Sequence, residues 1–368
     1  MSAGLVRPNH HPAADTGAPI TWSRLRRILA VRTDNLGDLV MLTPALRALR
    51  AAAPQARLDL LASCGAAAAA SMLPAVDTVL GARIPWQQVG GVAVPELANA
   101  QRHLLGVLAT GCYDAMVVFT SPTQSPWPAA QLGALAGIPL RALHSSEFGG
   151  ALASHWVTPP PEPVHQVDRS LHLLAALGVP DAGRHLELVV PPVPLPRARR
   201  PVALLVPGGS APAKRYPAER FAAVAASIAS AGVEVQVSGT AAEHDLTRSI
   251  VDSVGRVSVH ALEPVPFPAF VAQVAAADVV LCNNSAAMHV ADAVGTPVVV
   301  TYAGTERLSD MPPRSVPSRL LQQAVPCSPC RQFQCPYEHQ CLDIDPEDVA
   351  SAALGLLRTR VGTPAAVS

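Results

Sequence analysis

The chain has 368 residues, with 27 basic and 27 acidic side chains in a composition that is 49% hydrophobic and 15% charged. That length exceeds what one hydrophobic core usually serves and calls for two domains, and the balanced charge supplies no field for nucleic acid, which is excluded as a partner. No stretch reaches the roughly 18–20 uninterrupted apolar residues of a membrane span, so the expected protein is soluble and cytoplasmic, with at most peripheral contact with the inner face of the cytoplasmic membrane.

Residues 1–20 hold His10, His11 and several prolines and glycines without an apolar core, and read as a disordered tail rather than a signal peptide. Short apolar runs then alternate with longer helical patterns, the rhythm of parallel sheets with crossover helices. The first set, residues 21–190, begins with a strand at Arg27–Arg32, a polar loop, and a helix from Leu39 to Ala52 that stops before Pro54. Strands at Leu58–Leu61, Thr78–Leu80 and Ala115–Phe119 follow, with alanine-rich helical stretches between them. Proline crowds residues 188–200 and biases them to extended backbone, which places the linker at 191–200. The second set, residues 201–345, takes in a strand at Pro201–Val206, a helix at Ala218–Ala231, a strand at Val233–Val237 and a helix at Glu243–Val254. It closes with a strand at Ala277–Cys282, a helix through His289 to Ala293, and a strand at Pro297–Thr301. A last helical pattern, Pro346–Arg358 within residues 346–368, is expected to pack back across the first domain. Both halves read as Rossmann-like α/β units.

The loop Arg32-Thr33-Asp34-Asn35-Leu36-Gly37-Asp38 joins the first strand to its helix. One glycine and two carboxylates suit a pyrophosphate poorly, and the fingerprint G-x-G-x-x-G is missing there, which disfavours a nicotinamide enzyme. Asp38, at the carboxyl edge of a parallel sheet, is placed to accept a proton or orient a hydroxyl. In the first turn of a helix it serves as well as a capping acid that complements the helix dipole.

Lys214 is the only lysine; every other basic residue of the 27 is arginine. It follows a strand and the glycine turn Pro207-Gly208-Gly209-Ser210, just before a helix start at Pro217, an arrangement that suits a phosphate cradle. A lysine adds a flexible point charge to such a loop; a solvated surface lysine is the other reading. In Cys282-Asn283-Asn284-Ser285-Ala286-Ala287-Met288-His289 a second strand opens into a helix. Asn284 and Ser285 suit N-cap positions, and the N–H groups beyond them can hold a phosphate. Two such helix starts at one sheet edge suit a diphosphate. His289, one turn in, either reaches the same place or simply packs within its helix.

Four of the seven cysteines fall as Cys327-x2-Cys330-x4-Cys335-x5-Cys341, with His339 in the last gap. That spacing suits a structural, tetrahedral zinc; reduced thiols in a metal-free loop are the alternative.

In their joint order and spacing these segments resemble glycosyltransferase family 9, the bacterial lipopolysaccharide heptosyltransferases and their relatives. The signatures are Arg-Thr-Asp-Asn-Leu-Gly-Asp followed by Met41-Leu42-Thr43-Pro44-Ala45-Leu46-Arg47, the Pro-Gly-Gly-Ser…Lys-Arg-Tyr-Pro segment, and Asn-Asn-Ser-Ala-Ala-Met-His-Val-Ala, within a resemblance that runs from Ile28 to Leu357. The resemblance implies the GT-B architecture, two Rossmann-like domains facing across a cleft, with a nucleotide-sugar held mainly by the second. It implies an inverting, metal-independent transfer from a nucleotide-diphosphate donor, ADP-heptose, to a hydroxyl of a glycolipid or saccharide acceptor such as lipopolysaccharide core, with no cofactor required for catalysis. Asp38 matches the family's base, flanked by Asn35 and Gly37, with Asp34 as the reserve base of the same loop. Lys214 matches the lysine on donor phosphate, Gly209 and Ser210 the loop beside it, and Glu243 an acid that bonds the nucleotide ribose. Asn284, Ser285, Ala286 and His289 match an Asp-(Thr/Ser)-Gly-x-x-His turn, from which this chain departs at Asn284 and Ala286. Two other functions stay open: a nucleotide-sugar epimerase, which shares the fold and the diphosphate site, and a non-catalytic nucleotide-binding homologue, which the departures at Asn284 and Ala286 allow.

Overall fold

The computed structural model describes residues 19–88, 91–192 and 200–361. The tail expected at 1–20, apart from its last two residues, and most of the linker expected at 191–200 lie outside the described residues. In the N-terminal half, strands β1 (Arg27–Val31), β2 (Arg57–Ser63), β3 (Thr78–Ala82), β4 (Ala115–Val118), β5 (Leu140–His144) and β6 (His155–Val157) form a parallel sheet in the order β3-β2-β1-β4-β5-β6. Helices α1 (Leu36–Met41), α2 (Thr43–Ala52), α3 (Val94–Gly111), α4 (Trp127–Leu135) and α5 (Gln166–Ala176) accompany it.

The C-terminal half repeats the plan with β7 (Val202–Val206), α6 (Ala218–Ser230), β8 (Glu234–Val237), α7 (His244–Val254), β9 (Val259–Ala261), α8 (Phe267–Ala276), β10 (Val279–Asn283), α9 (Ala286–Val294), β11 (Val298–Thr301), β12 (Ser318–Leu321) and α10 (Pro346–Val361). Its parallel order, β12-β11-β10-β7-β8-β9, is the same winding as the first sheet. The central strands β1, β4, β7 and β10 are apolar runs covered on both faces, as strands in doubly covered parallel sheets must be. In each half the winding reverses between the first and fourth strands, and open α/β sheets bind ligands outside the strand ends at that crevice. The loops after β1 and β4 therefore face one crevice, and those after β7 and β10 the other.

Two sequence expectations change. The helix expected at Leu39–Ala52 starts at Leu36 and divides at Leu42 into α1 and α2. Pro44 has no N–H to give the carbonyl of Val40, and the Thr43 hydroxyl donates to that oxygen instead at 2.8 Å. The last helix, α10, does not cross to the N-terminal domain. Val349, Ala350, Ala353, Leu356 and Leu357 are buried in the apolar cluster of the C-terminal sheet, against α6 and β10–β12. Its apolar stripe is thus already covered by its own domain.

The halves meet where α1 packs against α9. One apolar cluster is continuous across that contact, from Leu39, Val40 and Met41 to Ala287, Met288, Val290 and Ala291.

Leu356→Ala is expected to cost about 2–5 kcal/mol, the usual range for a buried leucine truncated to alanine. Urea unfolding should show a lower midpoint with an unchanged slope; an unchanged midpoint would return α10 to the surface.

Candidate active site

On the N-terminal side, Arg32 organises the loop after β1. Its Nη2 donates to Asp38 Oδ1 at 2.9 Å and to Ser121 Oγ at 2.9 Å. Its Nε lies 2.9 Å from Asp34 Oδ2, off the N–H direction, so this contact is an ion pair rather than an aligned hydrogen bond. The two acids divide sharply. Asp34 is buried and also accepts from Gln87 at 3.2 Å and Ser121 at 3.3 Å. Burial raises its carboxyl above the usual range, opposed by Arg32 and assisted by Asp38. Asp38 keeps 18% of its side chain exposed against 2% for Asp34, which leaves Asp38 as the accessible carboxylate and Asp34 as an internal anchor for Arg32. Asn35 is exposed and makes no side-chain cap for α1.

On the C-terminal side, Asn283 joins the two loops at the crevice. It is fully buried, its Nδ2 donates to the carbonyls of Pro207 at 2.8 Å and Gly208 at 3.0 Å, and its Oδ1 accepts from Tyr216 N at 3.0 Å. The glycine turn is thereby pinned to the end of β10. Glu243 braces the same turn: Oε1 accepts from Gly209 N at 3.0 Å, while Oε2 accepts from the backbone N and hydroxyl of Thr240. A Cβ on Gly208 would lie 2.0 Å from Glu243 Oε1, so a larger residue there would displace the Glu243 carboxylate from the turn. Arg215 donates twice to the Gly209 carbonyl, and Ser210 stays exposed beside it.

Lys214 Nζ lies 2.5 Å from Glu306 Oε1. Ser285 is the N-cap residue of α9 but makes no side-chain cap, and no bond to the Ala286 or Ala287 N–H appears among the described residues. Those donors are therefore open to an anion. Asn284 does not cap the helix as expected; its amide is buried and ties the turn to the loop after β11. His289 is buried, and desolvation pushes its imidazole down to about 4, with Asp38 opposing and His165 and Lys214 assisting. Asp38 and Lys214, from different domains, thus both lie within electrostatic reach of one neutral imidazole.

The closeness depends on Gly37. A Cβ there would stand 2.9 Å from His289 Cδ2 and 3.3 Å from the Ala286 Cα. The methyl of Ala286 takes part in this contact, 3.7 Å from the same position, so that side chain faces the other domain. Away from the helices, the domains are tied by Arg307 to Glu162 at 2.8 Å, by Arg314 forked onto Asp168, and by Gln166 N donating to Asp310 O at 2.9 Å.

Sequence reasoning missed four of these residues: Arg32, Asn283, Glu306 and Arg169. Arg169 is buried, its Nε has no hydrogen-bond partner, and Arg32 and Glu162 are the charges that act on it. The first two stand inside motifs already singled out but were given no role there, and their polar chemistry at apolar strand ends was the available signal. The four clustered cysteines are free thiols lining a cavity of about 360 Å³ beside Gly304 and Thr305. Among the described residues no group of three His, Cys, Asp or Glu side chains is placed to hold a metal ion, so the expected structural zinc is not shown.

The family model for glycosyltransferase family 9 (heptosyltransferase) matches residues 108–340. The chain belongs to this family. It is a glycosyltransferase. Its sequence is 25% identical over 355 residues to lipopolysaccharide heptosyltransferase 2 of Escherichia coli strain K12, covering 90% of this chain and 98% of that one. The fold is that of the E. coli ADP-heptose lipopolysaccharide heptosyltransferase II, with a TM-score of 0.73 at 22% identity over 91% of this chain and 99% of the other. The E. coli heptosyltransferase WaaC with ADP superposes with a TM-score of 0.68 at 16% identity, covering 90% and 99%. Two Rossmann-like domains of the GT-B kind are thus established for this chain. No helix among the described residues is long and apolar enough to cross a membrane.

Gly37→Val is expected to wedge α1 from α9, costing about 1–3 kcal/mol as overpacked contacts do; X-ray scattering should show a larger radius of gyration, and an unchanged radius would count against the wedge. A pH effect follows from His144, His165 and His289, held down to about 3, about 4 and about 4 mainly by burial. Each is neutral when folded and takes up a proton on unfolding, so its share of stability is intact above the usual 6.5 and lost as pH falls toward 4. The urea midpoint should therefore be lower at pH 5 than at pH 7.5, with a shallower dependence in His144→Asn.

Proposed function

We propose that this chain transfers a heptose-like sugar from a nucleotide-diphosphate donor, ADP-heptose, to a hydroxyl of a glycolipid or saccharide acceptor such as lipopolysaccharide core, in the cytoplasm. The observation that carries the reading is that Asp38, in the first turn of α1, and Lys214, beside the glycine turn after β7, stand on the two sides of the α1–α9 contact, where Gly37 meets Ala286 and His289. An acid and a cation on opposite faces of one crevice suit a displacement in which a hydroxyl enters as a phosphate leaves. The names of its relatives support ADP-heptose as the donor.

In this mechanism the acceptor oxygen attacks the anomeric carbon of the donor. The new C–O bond forms as the bond to the diphosphate oxygen breaks, the hydroxyl proton passes to Asp38, and configuration inverts. Arg32 holds Asp38 through one oxygen at 2.9 Å, which leaves the other to receive the proton. General-base help of this kind is typically worth about 100- to 10,000-fold. The charge that develops on the departing diphosphate meets Lys214 and the open N–H groups at the start of α9, the donors most effective in a site that excludes water. These groups supply the counter-charge without a divalent ion. Glu243, braced against the glycine turn, retains lone-pair capacity for the ribose hydroxyls. The boundary between the acceptor and donor domains is placed within 191–200.

Asp38→Ala should abolish transfer while ADP binding, measured by calorimetry, stays intact; near-normal turnover would remove Asp38 as the base. Lys214→Ala should mainly raise the donor KM. Release of ADP that depends on added acceptor separates transfer from epimerisation.

A further inference from the structure

The contact between Lys214 and Glu306 has a second layer. Glu306 Oε2 accepts from Asn284 Nδ2 at 2.7 Å and from the Thr305 hydroxyl, while Oε1 faces the ammonium of Lys214 at 2.5 Å. Asn284 is 1% exposed, and its Oδ1 accepts from Ala303 N at 3.1 Å. That bond fixes which end of the amide points at Glu306. We propose that Asn284 and Glu306 work as one amide–carboxylate unit that positions Lys214 in the donor seat, with each identity dependent on the other.

The physical argument rests on proton count. An aspartate at 284 would keep the bond from Ala303 N but place its second oxygen where Nδ2 now stands, 2.7 Å from a carboxylate. Two like charges at that distance cannot both stay ionised without cost, and both would compete for the only lysine. The amide removes the repulsion and supplies the donor that orients Glu306. A lysine ammonium has three N–H donors, so one can stay on Glu306 while the others face a phosphate.

Glu306 stands on a braced turn. Cys330 N donates to Gly304 O at 2.9 Å and Arg331 N to Thr305 O at 3.1 Å, and a Cβ on Gly304 would lie 3.3 Å from that of Cys341. The loop carrying the four cysteines also accepts a bond from the lysine loop, Ala213 N to Phe333 O at 3.1 Å. One loop therefore supports both members of the Lys214–Glu306 pair. Glu306 is a positioning residue in this arrangement; it need not touch the donor.

This inference rests on the donor-site reading above, and a set of four proteins separates the two: wild type, N284D, E306Q and N284D/E306Q. N284D should raise the donor KM by on the order of tenfold with a smaller change in kcat, in the range of coupled neighbouring sites. The double variant, with acid and amide exchanged, should return KM to within about threefold of wild type. Thermal unfolding without nucleotide reads the same coupling: N284D should lower the midpoint by about 2–4 °C, and the double variant should restore it. A double variant no better than N284D in KM and midpoint, or a neutral N284D, overturns the unit. Failure of the wild type to bind ADP in calorimetry fails the donor-site reading instead, while the unfolding midpoints still decide the coupling. Should N284D not fold, N284A, E306A and their double serve: losses that add independently overturn the proposal, and a double no worse than the worse single upholds it.

Discussion

The contact between α1 and α9 is the constraint on which the rest of this molecule depends. Each Rossmann-like half has its own ligand crevice at the point where its winding reverses, and neither crevice alone holds both Asp38 and Lys214. Packing helix start against helix start makes one site of two. The approach requires that nothing project between them, and Gly37 meets that requirement at 2.9 Å from where a side chain would strike His289. A cluster of buried apolar side chains then runs unbroken through the contact. The energy that holds Asp38 and Lys214 near one another is therefore largely hydrophobic and non-directional, while the directional work is left to polar groups around its rim.

Those polar groups are arranged so that the proposed base and the proposed counter-charge stay apart. Arg32 is shared by two acids, and burial takes Asp34 out of contention by saturating it with Gln87, Ser121 and the guanidinium. Glu306 holds the lysine from the far side. Between them sits His289, which burial keeps neutral. A protonated imidazole there would pair with Asp38 and repel the ammonium. Neutrality of one ring thus preserves both the proposed base and the proposed counter-charge, and it does so through desolvation rather than through any hydrogen bond.

How far this was legible in the sequence follows from how local each signal is. The strand-loop-helix units around Asp38, Lys214 and Asn284 carry their chemistry in fewer than about ten consecutive residues, and such units could be placed at a sheet edge by pattern alone. Strands β6 and β9 are three residues long, too short to show alternation, and β5 and β12 mix charge with apolar residues. Glu306 lies in a loop with no periodicity, and its importance comes entirely from contacts with Lys214 and Asn284, distant in the chain. Docking of α10 was misjudged because an amphipathic helix announces that it has a buried face without saying which domain covers it. The split of the first helix had a visible cause in Pro44, but the Thr43 hydroxyl that makes the break tolerable is apparent only in three dimensions.

The two substrates are unevenly represented for a related reason. A diphosphate needs counter-charge at a defined spacing, and in the proposed reading the two helix starts of one sheet provide it within a single topological unit. On the N-terminal side the polar groups come from scattered positions: Asp38 from the first turn of α1, Ser121 from the loop after β4, and Arg169 from α5. Arg32 is already balanced by two acids, whereas Arg169 is buried with its Nε unpaired and only Glu162 offsetting it electrostatically. A buried guanidinium without a partner is costly. The Arg169 guanidinium is therefore only partly compensated by the protein itself, while on the C-terminal side the Lys214 ammonium is paired with Glu306. Charge thus distinguishes the two faces of the crevice, with an ion-paired lysine on one and a partly compensated arginine on the other.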